Sequence, residues 1–171
     1  MAQTNNPATA SQSAPASPEA RLKAQGLVLP RPAAPVANYL PFVISGDTLV
    51  ISGQLPFDAE GKLQPAHKGK LGHDIFNEAG QEAARLCAIN ILAQAREALG
   101  SLNRISRCIR LCGFVNVAPD FSNIPAIING ASDLMVAILG EKGKHARAAV
   151  GVANLPLDAA VEVEASFEIL G

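Results

Sequence analysis

The sequence predicts an α+β fold, with a mixed β-sheet carrying two helices on one face. Three observations carry that expectation. Two long segments place apolar residues at helical spacing. Five shorter segments alternate apolar and polar residues with period two. The segments run in the order β-β-α-β-α-β-β, which suits one sheet with crossover helices. The chain has 171 residues. Setting aside a polar start, about 145 remain, enough for a single domain with a full core.

Met1 to Ser17 is almost wholly Ala, Gln, Thr, Asn, Ser and Pro. Such a segment cannot bury enough apolar surface to offset its ordering entropy, so residues 1–17 are expected to be a disordered tail. Residues 18–35 read as a short helix and a Pro-rich linker. Ser17-Pro18-Glu19 supplies an N-cap, a proline at the first helical position and an acid; Gly26 closes the helix. Pro30 to Pro35 is extended. Residues 36–171 then form the domain. Tyr39 to Ile44 and Thr48 to Ser52 predict a hairpin around Ser45-Gly46-Asp47. Residues 57–62 form a second turn and 67–73 a basic, Gly-containing loop.

Asp74 is the expected cap of a helix from Ile75 to about Leu99, ended by Gly100. Ala79, Ala83, Leu86, Cys87, Asn90 and Ile91 share its inner spacing. A strand from Arg104 to Val117 follows, with Ile105, Ile109, Leu111, Val115 and Val117 on one face. Ala118-Pro119-Asp120 stops it and starts a helix to about Leu139, ended by Gly140. The last two strands read as a hairpin turning near Pro156-Leu157. On that reading Ala146, Ala148, Val150 and Val152 join Val161, Val163, Ala165, Phe167 and Ile169 in one apolar face. Arg147 then shares the opposite face with Glu162, Glu164 and Ser166. A single Arg among small residues is suited to an anion, because guanidinium meets a carboxylate in bidentate fashion. A sheet face carrying Gly, Ala, Ser and Cys beside its charges suits packing against another subunit, so a closed oligomer is expected.

Composition narrows the function classes. The net charge is −1, there is no Trp and there is one Tyr. Nucleic-acid binders usually show a basic face and stacking aromatics, so nucleic acid is not an expected partner. No apolar run reads as long enough to span a bilayer, and the polar start lacks the charged and apolar regions of a signal peptide. The three Cys fit buried reduced thiols and a cytoplasmic setting; Cys108 and Cys112 lie roughly 13 Å apart along one strand, too far to bond. His67, His73 and His145 match no compact ligand spacing, so neither metal nor cofactor is expected. Ser52-Gly53 has no His/Asp pair nearby to make a nucleophile. Lys62, Lys68, Lys70 and His73 read as a solvated loop, with polyphosphate or RNA contact as the sharper alternative.

Several short motifs together resemble the RidA (YjgF/YER057c/UK114) family, whose members are often labelled endoribonuclease L-PSP. They are Ala146-Arg147-Ala148 through Leu155-Pro156 to Val161-Glu162-Val163; Ile51-Ser52-Gly53-Gln54-Leu55-Pro56; Ala37-Asn38-Tyr39; and Asp120-Phe121. The likeness covers roughly residues 36–170 in order. It implies a chorismate-mutase-like fold of the bacillus type, a homotrimer with a β-barrel core, and three clefts between subunits. It also implies hydrolysis of reactive enamine/imine intermediates of the 2-aminoacrylate type to 2-oxo acids and ammonia. In that scheme Arg147 holds the substrate carboxylate and Glu162 positions or activates water. Tyr39, Gly53, Gln54 and Asn129 complete the binding residues. The chain departs from the pattern in having Ala149 where deaminases of the family carry Cys, Gly151 where Glu is common, and His145 where Pro or Ala is usual. Residues 62–73 and 124–135 form longer segments, which marks a divergent, longer subgroup.

Bland alternatives stand beside these roles. Arg147 could form a salt bridge with Glu162 or Glu164. Glu162 could serve a strand hydroxyl or amide, and Tyr39 could be a packed edge aromatic. At the level of the whole protein, two further readings attach to the same scaffold: a non-catalytic regulatory protein that binds small carboxylates, and an endoribonuclease or translation inhibitor.

Overall fold

The computed structural model describes residues 17–32 and 38–171. The expected tail, apart from Ser17, and residues 33–37, which include the end of the Pro-rich linker, lie outside them. The first helix, α1 (Pro18–Ala24), begins as its sequence dictates: the Ser17 hydroxyl accepts from the Ala20 N–H, with proline at the first position. The domain then follows the expected order: β1 (Phe42–Ser45), β2 (Thr48–Gln54), α2 (Asn77–Leu99), β3 (Ile105–Asn116), α3 (Ile124–Leu139), β4 (Ala146–Val152) and β5 (Val161–Ile169).

The strands make one sheet in the order β1-β2-β5-β3-β4. β3 and β4 pair in parallel, and β5 runs antiparallel to both β2 and β3. The chain therefore crosses from β2 to β3 through α2, over β5, and from β3 to β4 through α3. Crossovers of one hand taken in the same direction put both helices on the same face. That face is the core. Ala83, Ala84, Cys87, Ala88, Ile91 and Leu92 of α2 meet Ile127, Ile128, Ala131, Met135 and Ile138 of α3 over Leu49, Ile51, Leu111, Val163 and Phe167, all fully buried. Each large side chain buried there is worth about 1.5–3 kcal/mol over leaving it in water. The two helices pack closely where Gly130 faces Gln81, since an added Cβ would lie 2.0 Å from the Gln81 carbonyl oxygen.

Four local expectations are corrected. The last two strands are not a hairpin, because β3 lies between them. The helical crossover forces β4 parallel to β3, and the connection from Ala153 to Ala160 is long enough to carry the chain past the end of β3. β5, buried at every odd position, takes the central place. Second, two bulges interrupt β3, between Ile105 and Arg107 and between Cys108 and Arg110. Each shifts the period-two phase, so Cys108 is buried and Ile109 is 41% exposed, while Ile105 and Leu111 both face the core. Third, α2 starts at Asn77 rather than Ile75, and the Asp74 carboxylate instead accepts from the Lys70 N–H and pairs with His73. Fourth, α3 starts at Ile124, after a turn in which the Phe121 N–H donates to Ala118.

With its terminal turn, α3 spans 20 residues and is apolar and long enough, by length and composition, to cross a membrane. The expectation that no run is long enough is corrected in that respect. In the fold its apolar stripe is the core contact with α2. The opposite face of the sheet carries no helix. One row across it reads Val43, Val50, Ser166, Arg110 and Ala146; the next two read Glu164, Cys112, Ala148 and Glu162, Phe114, Val150.

Candidate functional site

The row through Arg147 contains Leu111 and Ala165, both core residues. Arg147 therefore projects on the helix side of the edge strand β4, not on the face it was expected to share with Glu162, Glu164 and Ser166. Its Nη1 donates to Asn129 Oδ1 at 2.8 Å and to Ser132 Oγ at 3.1 Å. Asn129 and Ser132 are one turn apart on α3, so both face the same strand. Ser132 Oγ also lies 3.1 Å from His145 Nε2, and His145 Nδ1 lies 2.6 Å from the Gly143 carbonyl oxygen. A carbonyl only accepts, so Nδ1 carries the proton and, in the neutral ring, Nε2 accepts from the Ser132 hydroxyl.

Arg147 is exposed and has no acidic partner among the described residues. The ion pairs there are His73–Asp74, Arg85–Glu82, Arg96–Glu19 and Lys144–Glu141. Within one chain, no salt bridge joins Arg147 to Glu162 or Glu164. Neutral oxygens hold one nitrogen of the guanidinium, and its Nε–Nη2 edge makes no hydrogen bond among the described residues. That edge can take a carboxylate in bidentate fashion.

Glu162 belongs to a second group, at the other end of the sheet. It is half-buried, and desolvation pushes its carboxyl above the usual range, with the charge of Glu164 adding to the effect. The carboxylate occupies the space above Gly53, where an added Cβ would lie 1.9 Å from Glu162 Oε1. A bulge between Ile51 and Gln54 presents Gly53 in this way. Gln54 is turned inward and donates to the Ser52 and Gly53 carbonyls at 3.0 and 3.3 Å, so it supports the bulge. Ser52 Oγ donates to the Leu40 carbonyl at 2.7 Å, tying the segment that bears Tyr39 to the same corner. Tyr39 is 52% exposed.

A single chain does not bring Arg147 and Glu162 together. The register puts Arg147 opposite Leu111 and Glu162 opposite Phe114, with β3 between them. Three residue steps and two strand spacings separate their Cα atoms by roughly 14 Å. The side chains also leave opposite faces. The chain thus carries two separate groups: Arg147 with Asn129 and Ser132, and Glu162 with Gly53, whose bulge Gln54 supports.

Sequence reasoning missed Ser132. Its signal was the i, i+3 spacing from Asn129 in a helix whose one other polar residue is Asp133, matched by His145 two residues before Arg147. In the basic loop Lys62, Lys68 and His73 are exposed, and Lys70 alone is tied into the fold. Lys70 Nζ donates to Asn116 Oδ1 at 2.8 Å and to the Ala153 carbonyl, and Asn116 Nδ2 donates to Asp158. Among the described residues, no three His, Cys, Asp or Glu side chains gather to hold a metal, and all three Cys are free.

The family model described as "YjgF/chorismate mutase-like, putative endoribonuclease" matches residues 19–168. Protein TCP17 of Trypanosoma cruzi is 46% identical over 151 residues, spanning 88% of this chain and 92% of its own. The crystal structure of protein Atu1372 from Agrobacterium tumefaciens, described as of unknown function, is 50% identical. It has a TM-score of 0.82, with 90% of this chain and 92% of that one covered. A structure described as a "putative endoribonuclease" from Shewanella oneidensis MR-1 is 40% identical, with a TM-score of 0.85 and coverage of 90% and 99%. RidA from Psychrobacter sp. PAMC 21119 is 31% identical, with a TM-score of 0.57 and coverage of 81% and 94%.

Proposed function

The chain belongs to the YjgF/RidA family, with its chorismate mutase-like fold, and from that premise we propose that it is a cytoplasmic homotrimer that hydrolyses enamine/imine intermediates of the 2-aminoacrylate type. The observation that carries this reading is the open Nε–Nη2 edge of Arg147, a full positive charge held by neutral acceptors and with no acidic partner among the described residues.

In this scheme the uncovered sheet face packs against a second copy, with Val43, Val50 and Val150 among its apolar contacts. Assembly joins the Arg147 half-site of one subunit to the Glu162 half-site of the next. The substrate carboxylate docks on Arg147 and Asn129. Once the enamine has tautomerised, its imine carbon is electrophilic. Glu162 takes a proton from water as the oxygen adds to that carbon and gives it to the nitrogen, forming a carbinolamine; it then takes the hydroxyl proton and passes it to the nitrogen as the carbonyl forms and the C–N bond breaks. The products are a 2-oxo acid and ammonia. Its raised pKa suits both halves of that exchange. Orienting the water and the imine supplies much of the remaining rate enhancement.

A second reading, a non-catalytic sensor of small carboxylates, is favoured by Ala149 and Gly151, which give the site less chemistry than the deaminases of the family are expected to carry. One assay separates the two. A threonine/serine dehydratase generates 2-aminoacrylate, and pyruvate release is followed with and without the protein. Acceleration that is lost in Arg147→Ala supports the enzyme. No acceleration, with 2-oxobutyrate still raising the Tm, supports the sensor. RNA cleavage that survives repurification and Arg147→Ala would instead support an endoribonuclease. Light scattering returning a monomer mass at micromolar concentration would contradict the trimer.

A further inference from the structure

We propose that Ser132 and His145 are positioning residues that fix the plane of the Arg147 guanidinium, so that it offers its Nε–Nη2 edge, side-on, to a carboxylate. The inference rests on Arg147 being the anion anchor. An arginine on an exposed edge strand has four freely turning side-chain bonds and loses much entropy when held. One acceptor on Nη1 fixes a point about which the group can still turn. Two acceptors on the two Nη1 hydrogens fix the plane. Asn129 Oδ1 and Ser132 Oγ are those two.

A serine hydroxyl can itself swing, and His145 removes that freedom. The Ser132 hydrogen is directed to His145 Nε2, and the ring is locked by its Nδ1–H on the Gly143 carbonyl. Gly143 is held against α3, where an added Cβ would lie 2.3 Å from the Met135 carbonyl oxygen. The hydrogen bonds thus run in one sense, from Arg147 to Ser132 to His145 to a backbone carbonyl packed on the helix that bears Ser132. With Nη1 used up, end-on binding through Nη1 and Nη2 is blocked. The side-on edge sets where the reacting carbon of a short 2-imino acid must lie.

The test measures 2-oxobutyrate binding by calorimetry in Ser132→Ala, Ser132→Thr, His145→Ala, the Ser132→Ala/His145→Ala double variant and Arg147→Ala. The 15N order parameter of Arg147 Nε is measured in the unliganded proteins. Ser132→Ala and His145→Ala should each weaken binding about 3- to 10-fold, the range that freeing one such side chain allows. The double variant should lose no more than Ser132→Ala, because both act through one chain of bonds. Ser132→Thr should bind within twofold of wild type. The Arg147 Nε order parameter should fall in both single alanine variants. A purely structural staple between α3 and β4 would lower Tm while leaving binding and the Arg147 signal unchanged. If Arg147→Ala abolishes binding but Ser132→Ala and His145→Ala leave the affinity and Nε order intact, the positioning role is overturned and the anchor stands. If Arg147→Ala binds as wild type does, the anchor and the role built on it both fall.

Discussion

Arg147 Nη1 donates to Asn129 Oδ1 at 2.8 Å, joining the edge strand β4 to the helix that precedes it. Among the described residues the guanidinium has no ion-pair partner. A cation held in this way contributes little to the fold, and its charge remains available to a ligand.

Arg147→Lys should therefore separate stability from binding. Lysine keeps the charge but loses the planar pair of donors. The Tm should stay within about 2 °C of wild type, as for most exposed substitutions. Affinity for 2-oxobutyrate should fall about tenfold or more, because the second hydrogen bond of the bidentate pair is gone. Calorimetry and thermal melts on the same samples check both halves.

Glu162→Gln should trade activity for stability. Burial first, and Glu164 second, raise the folded carboxyl's pKa. The folded state therefore favours the protonated form more strongly than the unfolded chain does. That contribution is complete below the ordinary carboxyl pKa and is lost as pH rises through the raised folded value. Glutamine stays neutral throughout. The Tm of the variant, relative to wild type, should thus rise from about pH 4 to about pH 7. Imine hydrolysis at neutral pH should fall about 100-fold or more, the usual cost of losing an acid–base group.

Gly53→Ala should displace the Glu162 carboxylate. The new methyl would lie 1.9 Å from Oε1, and a flexible side chain can swing away at small cost to stability. A carboxylate moved by even 1 Å no longer addresses the water correctly, so kcat should fall about tenfold or more. The melting curve should be nearly unchanged.

Gly130→Ala makes the contrasting case. There the new Cβ would lie 2.0 Å from the Gln81 carbonyl oxygen, and backbone cannot swing aside. The two helices must separate locally, at about 1–3 kcal/mol. Urea unfolding should show a lower midpoint with an unchanged slope.

Much of the fold is legible because local chemistry and global need agree. The serine and proline that open α1, the left-handed Gly100 that ends α2 and the alternation along β5 each point one way. Strand order is not local in that sense. The residues from Ala153 to Ala160 can close a hairpin or carry the chain past β3, and only the crossover that makes β4 parallel to β3 decides between them. The sidedness of Arg147 follows from that choice, so the face it was expected to share with Glu162 is not the one it takes. In β3, two bulges cancel in phase, so an uninterrupted count places Ile105 and Leu111 correctly but interchanges Cys108 and Ile109. Ser132 went unread because its partners come from another element, and only the folded chain brings His145 and Arg147 to it.

The most direct measurement is calorimetric titration of 2-oxobutyrate into the wild-type protein and into Arg147→Ala. The account predicts one binding event per subunit in the wild type and none in the variant, with the two proteins melting within about 2 °C of each other. Equal affinity in both proteins would contradict it.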